Sequence, residues 1–226
     1  MARLNLLAWN CWVANRDDNV IAALWTWALR YDPDVIALSE AASHADALHE
    51  WAERHGYTLL QAPVPRRRKA GRVVDDTGDC AILLGPHVTI RHEWVASMRQ
   101  MWMVFSHRRW HTPHRYQVAH IVVRGQRWRV RASHWPTLGM HGPNKAAWLE
   151  SAHASRRWLD RSTFPSVDVG DLNEQAPTLA EWFGKRFQVF GKGIDVAVAR
   201  GVREGTWTEL GKGGGDHHGR FYRLTA

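Results

Sequence analysis

The sequence predicts an α+β fold in which two β-sheets pack face to face and are flanked by helices. Three observations carry this. Short apolar runs separated by turn residues recur along the chain. Helical periodicity is confined to residues 18–31, 43–54 and 145–160. Strands and helices do not alternate in the regular βαβ rhythm of a parallel-sheet protein. Neither a repeat nor an interdomain linker interrupts the pattern, and 226 residues of 45% hydrophobic composition suit one domain over 1–226.

Taken in order, residues 4–9 form a first strand. Over 18–31, Val20, Leu24, Trp27 and Tyr31 share one helical stripe, with Asp17 or Asp18 as cap. Asp32-Pro33-Asp34 ends that helix, because a residue before proline is pushed out of the α region. Residues 35–38 are a second, buried strand, followed by a helix near 43–54 and a strand near 57–62. A basic, proline-flanked loop is expected at 63–78. Strands are expected at 79–84, 87–95, 101–106, 116–123 and 128–133. A long loop over 135–143 then leads to a helix at 145–160, capped by Asn144, with Trp148, Ala152 and Leu159 on one face. Strands near 166–170, 194–199, 202–208 and 219–225 complete the pattern. The tryptophans at 25, 27, 148 and 158 fall on helical patterns and read as core.

Composition excludes several classes. No apolar run approaches the roughly 18 residues of a membrane-spanning helix. The opening MARLNLLAWNCW reaches Asn5 and Asn10 too early for a secretory leader. Two cysteines, Cys11 and Cys80, are too few for a disulfide scaffold or a four-cysteine zinc module, and suit a reducing, cytoplasmic setting. The net charge of +8 is unevenly spread: residues 63–131 hold 14 Lys and Arg against four acids. The excess sits in PRRRKAGR (65–72), SHRRWHTPHR (106–115) and RGQRWRVR (124–131), interleaved with Trp94, Trp102, Trp110, Tyr116 and Trp128. Cationic side chains displace counterions from phosphates and aromatic rings stack on bases, so a nucleic-acid partner fits this stretch, with Arg66, Arg67 and Arg68 as its leading contacts. A solvated arginine-rich surface over core tryptophans is the competing reading.

Polar residues stand where apolar strands end. Asn10 follows LNLLAW, Glu40 follows PDVIALS and His134 follows WRVRAS. Asp171 and Asn173 follow SVDVG, Asp195 follows GKGI, and Asp216 and His217 follow GKGGG. Carboxylate and amide oxygens suit a hard cation such as Mg²⁺. His107, His111 and His114 lack cysteine partners and read as a basic surface loop.

The ordered set WN (9–10), PDVIALSE (33–40), ASHWP (132–136), GDLN (170–173), GID (193–195) and GDHHG (215–219) resembles the endonuclease/exonuclease/phosphatase superfamily, the DNase I-like phosphoesterases. The resemblance covers nearly the whole chain, and GDLN with the late Asp-His is its most specific part. It implies a four-layered α/β/β/α sandwich of two packed mixed β-sheets, and hydrolysis of phosphodiester or phosphomonoester bonds with a divalent cation, Mg²⁺ or Mn²⁺.

By matching position, the resemblance implies that Asn10, Glu40 and Asp216 form the metal site, with Glu40 the principal ligand. Asp171 and Asn173 would position the attacking water and the scissile phosphate. His217 would be general base or phosphate contact, oriented by Asp195. His134 would be the second histidine of the DNase I and sphingomyelinase branch, with Asp79 as its acidic partner. Trp135 would lie at the rim and contact substrate. The usual serine before the late Asp-His is Gly215 here, within Gly213-Gly214-Gly215. The expected activity is a metal-dependent nuclease acting on DNA or RNA. The alternatives are a phosphatase or phospholipid phosphodiesterase of the same chemistry, or a non-catalytic nucleic-acid-binding module. No protein partner is indicated.

Overall fold

A computed structural model describes the backbone of residues 2–12, 14–61, 67–69, 72–74, 80–97, 101–105, 108–112, 115–135 and 142–226, and the side chains of residues 2–12, 14–61, 80–93, 116–135, 146 and 148–226. In chain order the described elements are β1 (Arg3–Asn10), α1 (Asp17–Tyr31), β2 (Val35–Ser39), a 3-10 turn (Ala42–His44), α2 (Ala45–His55), β3 (Thr58–Gln61), β4 (Arg67–Lys69) and β5 (Arg72–Val74). Then come β6 (Ala81–Leu84), β7 (Thr89–Ser97), β8 (Met101–Phe105), β9 (Arg108–Thr112), β10 (Arg115–Val123), β11 (Gln126–His134) and α3 (Gly142–Asp160). The last are β12 (Ser166–Asp171), α4 (Ala176–Phe183), β13 (Gln188–Lys192), β14 (Asp195–Arg200), β15 (Glu204–Glu209) and β16 (Arg220–Thr225).

Two six-stranded mixed sheets result, ordered β15-β16-β1-β2-β6-β3 and β13-β14-β12-β11-β10-β7. In each, one central pair is parallel: β1 with β2, and β11 with β12. The side-chain period of two explains the layering. On β1, Leu4, Leu6 and Ala8 enter the core between the sheets, where they join Ala119, Ile121, Val130, Val167 and Val169. Leu7 and Trp9 point the other way, under α1 and α2, and join Val20, Leu24, Trp27, Leu48 and Trp51. Helices α3 and α4 cover the second sheet, α3 against β12 and β14 and α4 against β13. The expected four-layered sandwich is therefore the fold. Among the described residues, no helix is long and apolar enough to cross a membrane.

Several local expectations are corrected. Asp17 and Asp18 are not caps; they form the first turn of α1, whose N-cap is Arg16. Asn144 is not a cap either, because α3 starts at Gly142 with Pro143 in its first turn, where the missing N–H leaves no bond unmade. The 63–78 loop contains the short β4-β5 hairpin, and SHRRWHTPHR contains β9. Helix α4 and strand β13 were not anticipated. Trp25 is 43% exposed and rests on His55, with ring centroids 4.4 Å apart, rather than in the core.

The RGQRWRVR stretch folds as a hairpin end plus β11, and two of its arginines do structural work. Arg124 Nη1 donates to Asp34 Oδ2 at 2.8 Å and to the Arg3 carbonyl at 2.9 Å, tying the β10-β11 turn of one sheet to the other. Asp34 is fully buried and also accepts from the Asn5 N–H at 2.6 Å and pairs with His87. Arg131 is clasped by Asp168 beneath α3, and Asp168 also accepts from Ser133 and Ser155. The Arg131 guanidinium lies over the Tyr116 and Trp158 rings, at 5.1 and 5.2 Å. Both partners are buried, Asp168 at 0% and Arg131 at 3% exposure. Deleting one member of such a pair strands the other charge. Asp168→Ala is expected to cost about 3–5 kcal/mol of stability, read by urea unfolding.

Candidate active site

The predicted polar residues gather at one end of the sandwich, where the parallel pairs of both sheets finish. Asn10 closes β1 and is 1% exposed. Its Nδ2 donates to Glu40 Oε1 and to Asp171 Oδ2, both at 3.1 Å, and so bridges the sheets. Its Oδ1 accepts from the Trp12 N–H at 2.9 Å. The register opposes Asn10 to Ser39 and His134 to Asp171, so strand pairing alone delivers these groups to one level.

Glu40 and Asn173 lie just beyond their strands with left-handed backbones, at φ 54° and 51°. That conformation costs roughly 1–2 kcal/mol for a residue with a Cβ and turns each side chain back over its strand end. Asn173 is held by two bonds. Its N–H donates to Asp171 Oδ1 at 3.0 Å, and its Nδ2 donates to the Trp135 carbonyl at 2.6 Å. His134 Nε2 faces Asp171 Oδ2 at 3.6 Å and Glu40 Oε1 at 3.8 Å.

Asp195 opens β14, opposite Asp171 in register, and its two oxygens accept from His217 Nδ1 at 3.0 and 3.1 Å. That leaves His217 Nε2 toward the cleft, 3.7 Å from Asp171 Oδ2 and 3.9 Å from Asp216 Oδ1. Asp216 is the outermost of the group, with its side chain 55% exposed. The loop that carries it is fastened by Trp9 Nε1, which donates to the His217 carbonyl at 3.3 Å, and by Asn15 Nδ2, which donates to the Gly213 carbonyl at 3.1 Å. Gly213 must be glycine, with φ 59° and a Cβ site 2.7 Å from the Trp9 ring.

The backbone beneath the carboxylates is equally constrained. Gly170 has φ 139°, and a Cβ there would lie 2.1 Å from the Ser133 carbonyl oxygen. Ser39 Oγ donates to that same carbonyl at 3.0 Å, a second tie between the sheets directly under the site.

The electrostatics follow from burial. Asp171, 2% exposed, has its pKa raised by burial and by the charge of Asp195, against the opposing pull of His134, His217 and Asn10. Burial by itself lowers that of His217. The bond to Asp195 and the charges of Asp195, Asp171 and Asp216 outweigh burial and lift it to about 9. In divalent-free buffer His217 is therefore an imidazolium at neutral pH. A folded pKa above the unfolded value, near ~6.5, gives stability that is complete below that value and is lost as pH rises through about 9. Thermal unfolding in EDTA is expected to move to lower temperature between those pH values, and His217→Gln to flatten that slope.

All eight predicted catalytic and metal residues are thus linked by contacts of 3.9 Å or less. The substrate contacts fare differently. Trp135 is corrected: its indole is 0% exposed, packed against Trp148 and Phe183 at ring-centroid distances of 5.7 and 6.5 Å, so it cannot stack on a bound strand. Its carbonyl, not its ring, serves the site. Arg66 and Asp79, with the side chains of Arg67 and Arg68, lie outside the described residues.

Two residues at the mouth were not anticipated. Trp12 is 37% exposed with a left-handed backbone, φ 60°, and stands beside the Gly215 loop. His44 is 1% exposed. Its Nδ1 pairs with Asp17 Oδ1 at 2.6 Å and its Nε2 with the Trp12 carbonyl at 3.2 Å, which fixes the turn that presents Trp12. The neighbouring WN pair was the available signal for Trp12; nothing in the sequence marked His44.

Three solved structures illustrate how widely this architecture is shared. D. rerio TDP2 complexed with single strand DNA product is 13% identical, covers 100% of both chains and superposes with a TM-score of 0.69. The human Nocturnin catalytic domain with bound sulfate anion is 14% identical over 99% of this chain and 93% of its own, at 0.70. SmcL is 12% identical over 99% of each chain, at 0.72. At such identities the likeness is one of fold. No curated protein matches the chain in sequence. The family described as Endonuclease/Exonuclease/phosphatase matches residues 7–217, which takes in every residue of the cleft, and the chain belongs to it.

Proposed function

We propose that the protein is a divalent-metal-dependent phosphodiesterase that cleaves nucleic-acid strands by activated-water attack. The observation that carries this is the convergence of Asn10, Glu40, His134, Asp171, Asn173, Asp195 and His217 from both sheets onto one mouth. The donor set fits a hard cation, since the groups are carboxylate and amide oxygens and Asp171 is a buried carboxylate beside a second one, Asp195. Glu40, Asn10 and Asp216 would hold Mg²⁺ or Mn²⁺, which would neutralise charge building on the phosphoryl oxygens. Among the described residues, Asp171, Asp195 and His217 offer possible ligand atoms that lie within 4.8 Å of one another. Asp195 and His217 already bond to each other, so we assign them to proton handling rather than to the metal.

Asp195 holds the His217 ring by Nδ1 and directs Nε2 into the cleft, where the imidazolium contacts the phosphoryl group and the minor neutral form takes a proton from the incoming water. Asp171 orients that water, and Asn173, fixed by the Trp135 carbonyl, positions the phosphate. His134 Nε2 faces the same Asp171 oxygen as His217 Nε2, and we assign it to the leaving group. The buried thiols of Cys11 and Cys80 accord with a cytoplasmic setting.

A nucleic-acid substrate is favoured by the basic middle of the chain and by Trp12 at the mouth, whose exposed ring offers a base a stacking face. Trp12→Ala is expected to weaken single-strand binding by about 1–3 kcal/mol, measured by anisotropy in EDTA. Hydrolysis of a small chromogenic phosphodiester should change little. The overall assignment is tested by incubating the protein with plasmid, single-stranded DNA, RNA, sphingomyelin vesicles and a phosphomonoester, with Mg²⁺ or with EDTA. Strand cleavage abolished by EDTA supports the proposal. Turnover of lipid or monoester without strand cleavage, or salt-sensitive DNA retention with no cleavage, overturns it.

A further inference from the structure

We propose that Arg91, Arg127 and Arg129, together with His120, form a second phosphate-binding site on the outer face of the β7-β10-β11 sheet, separate from the cleft. Of the four arginines in 124–131, Arg124 is committed to Asp34 and Arg131 to Asp168. Among the described residues, no carboxylate lies within ion-pair reach of Arg91, Arg127 or Arg129. Three guanidinium groups with no counter-charge among the described residues stand on one sheet face, and their mutual repulsion disfavours that arrangement unless an anion joins them.

Arg91, Arg127 and His120 border a real space, and Arg129 bonds to His120 beside it. A cavity of about 240 Å³ is lined by Arg91, His120, Ile121, Arg127, Trp128 and Phe164. Its volume admits a phosphate group with a small organic substituent against the apolar wall. The cationic groups are also held in place. The Arg127 guanidinium lies over the Phe164 ring at 5.3 Å, and that of Arg129 over Trp158 at 4.5 Å. Arg129 Nη1 donates to the Trp158 carbonyl at 3.2 Å, and its Nε donates to His120 Nε2 at 2.8 Å. Accepting at Nε2 requires a neutral imidazole whose proton is on Nδ1. Burial, then the charges of Arg129 and His92, keep His120 neutral by lowering its pKa to about 4. His92 stands across the strand pair from His120, with ring centroids 6.1 Å apart. Planar, pre-aimed guanidinium forks over aromatic rings are how proteins recognise phosphate bidentately.

The site is not the catalytic mouth. Arg129 precedes His134 by five residues on β11, roughly 16 Å along an extended strand, and Arg127 lies farther still. A phosphate here is therefore not the reacting one. The phosphate could be a free phosphate ester or a phosphodiester in a bound strand, and the chemistry of recognition is the same.

The test is a titration in EDTA of assigned histidine-ring NMR resonances with inorganic phosphate and, separately, with a 12-nucleotide DNA strand, on the wild-type chain and on Arg91→Gln/Arg127→Gln. Both replaced side chains are exposed, and circular dichroism checks that the double variant folds. Saturable shifts of His120 and His92 that weaken about tenfold or more in the double variant are expected, with hydrolysis of a small phosphodiester unchanged. A response to both ligands identifies the phosphate group as sufficient; a response to the strand alone identifies a phosphodiester source. No shift with either ligand, or shifts that persist undiminished in the double variant, overturns the proposal. The His217 and His134 resonances report the cleft separately, so the outcome does not depend on the assigned nuclease activity.

Discussion

Asp171→Asn is expected to lower hydrolysis by about a thousandfold or more and to leave the metal-free protein about as stable as before. The two effects have one cause. Asp171 is a buried carboxylate whose charge is disfavoured by burial and by Asp195. A neutral amide of the same shape removes that cost. Only one oxygen remains, so either Asn10 Nδ2, which donates to Oδ2, or the Asn173 N–H, which donates to Oδ1, loses its acceptor, and this offsets the gain. What disappears is the negative charge that, in the proposed mechanism, would orient water and favour a nearby cation. Steady-state rates and thermal unfolding in EDTA, measured on the same preparation, check both halves. A variant that keeps its activity, or that loses it only by unfolding, removes Asp171 from the chemistry.

Gly170→Ala is expected to lower stability by about 3 kcal/mol or more in urea unfolding, and to lower activity with it. An added Cβ meets the Ser133 carbonyl oxygen at 2.1 Å and Ser39 Oγ at 3.0 Å. Backbone oxygen in a paired strand cannot step aside as a flexible side chain could, and φ 139° is itself unfavourable for alanine. Relief requires β11 and β12 to separate where His134 and Asp171 stand opposite one another. A residual folded fraction is therefore expected to hydrolyse substrate poorly even at low temperature.

Much of this was legible in the sequence because strand ends in a sandwich are marked twice. Residues 35–38 are apolar on both faces, which is only possible for a central strand, and the first polar residues after it, Ser39 and Glu40, face the mouth. The same logic located Asn10, His134 and Asp171. Where local signals were weak, tertiary context decided. Strand β9 is rich in arginine and histidine and is a strand because β8 pairs with it. Helix α4 has eight residues and a proline in its first turn, too short for periodicity to speak, and is held by Leu179 and Phe183 against the core. Trp135 adjoins His134 in sequence, but strand alternation turns its ring inward, so adjacency misled. The basic stretch at 124–131 looked uniform, yet four arginines take three different fates, and only the positions of Asp34 and Asp168 reveal which.

Ties between the sheets stand at both ends of the sandwich: Arg124 with Asp34 at one, and Ser39 with Ser133 and Asn10 with Asp171 at the other. A body pinned top and bottom resists sliding or opening like a book. Recognition in such a protein falls to whatever ornaments the lip of the groove, and a ligand, not the jaws, is what has to change shape to fit.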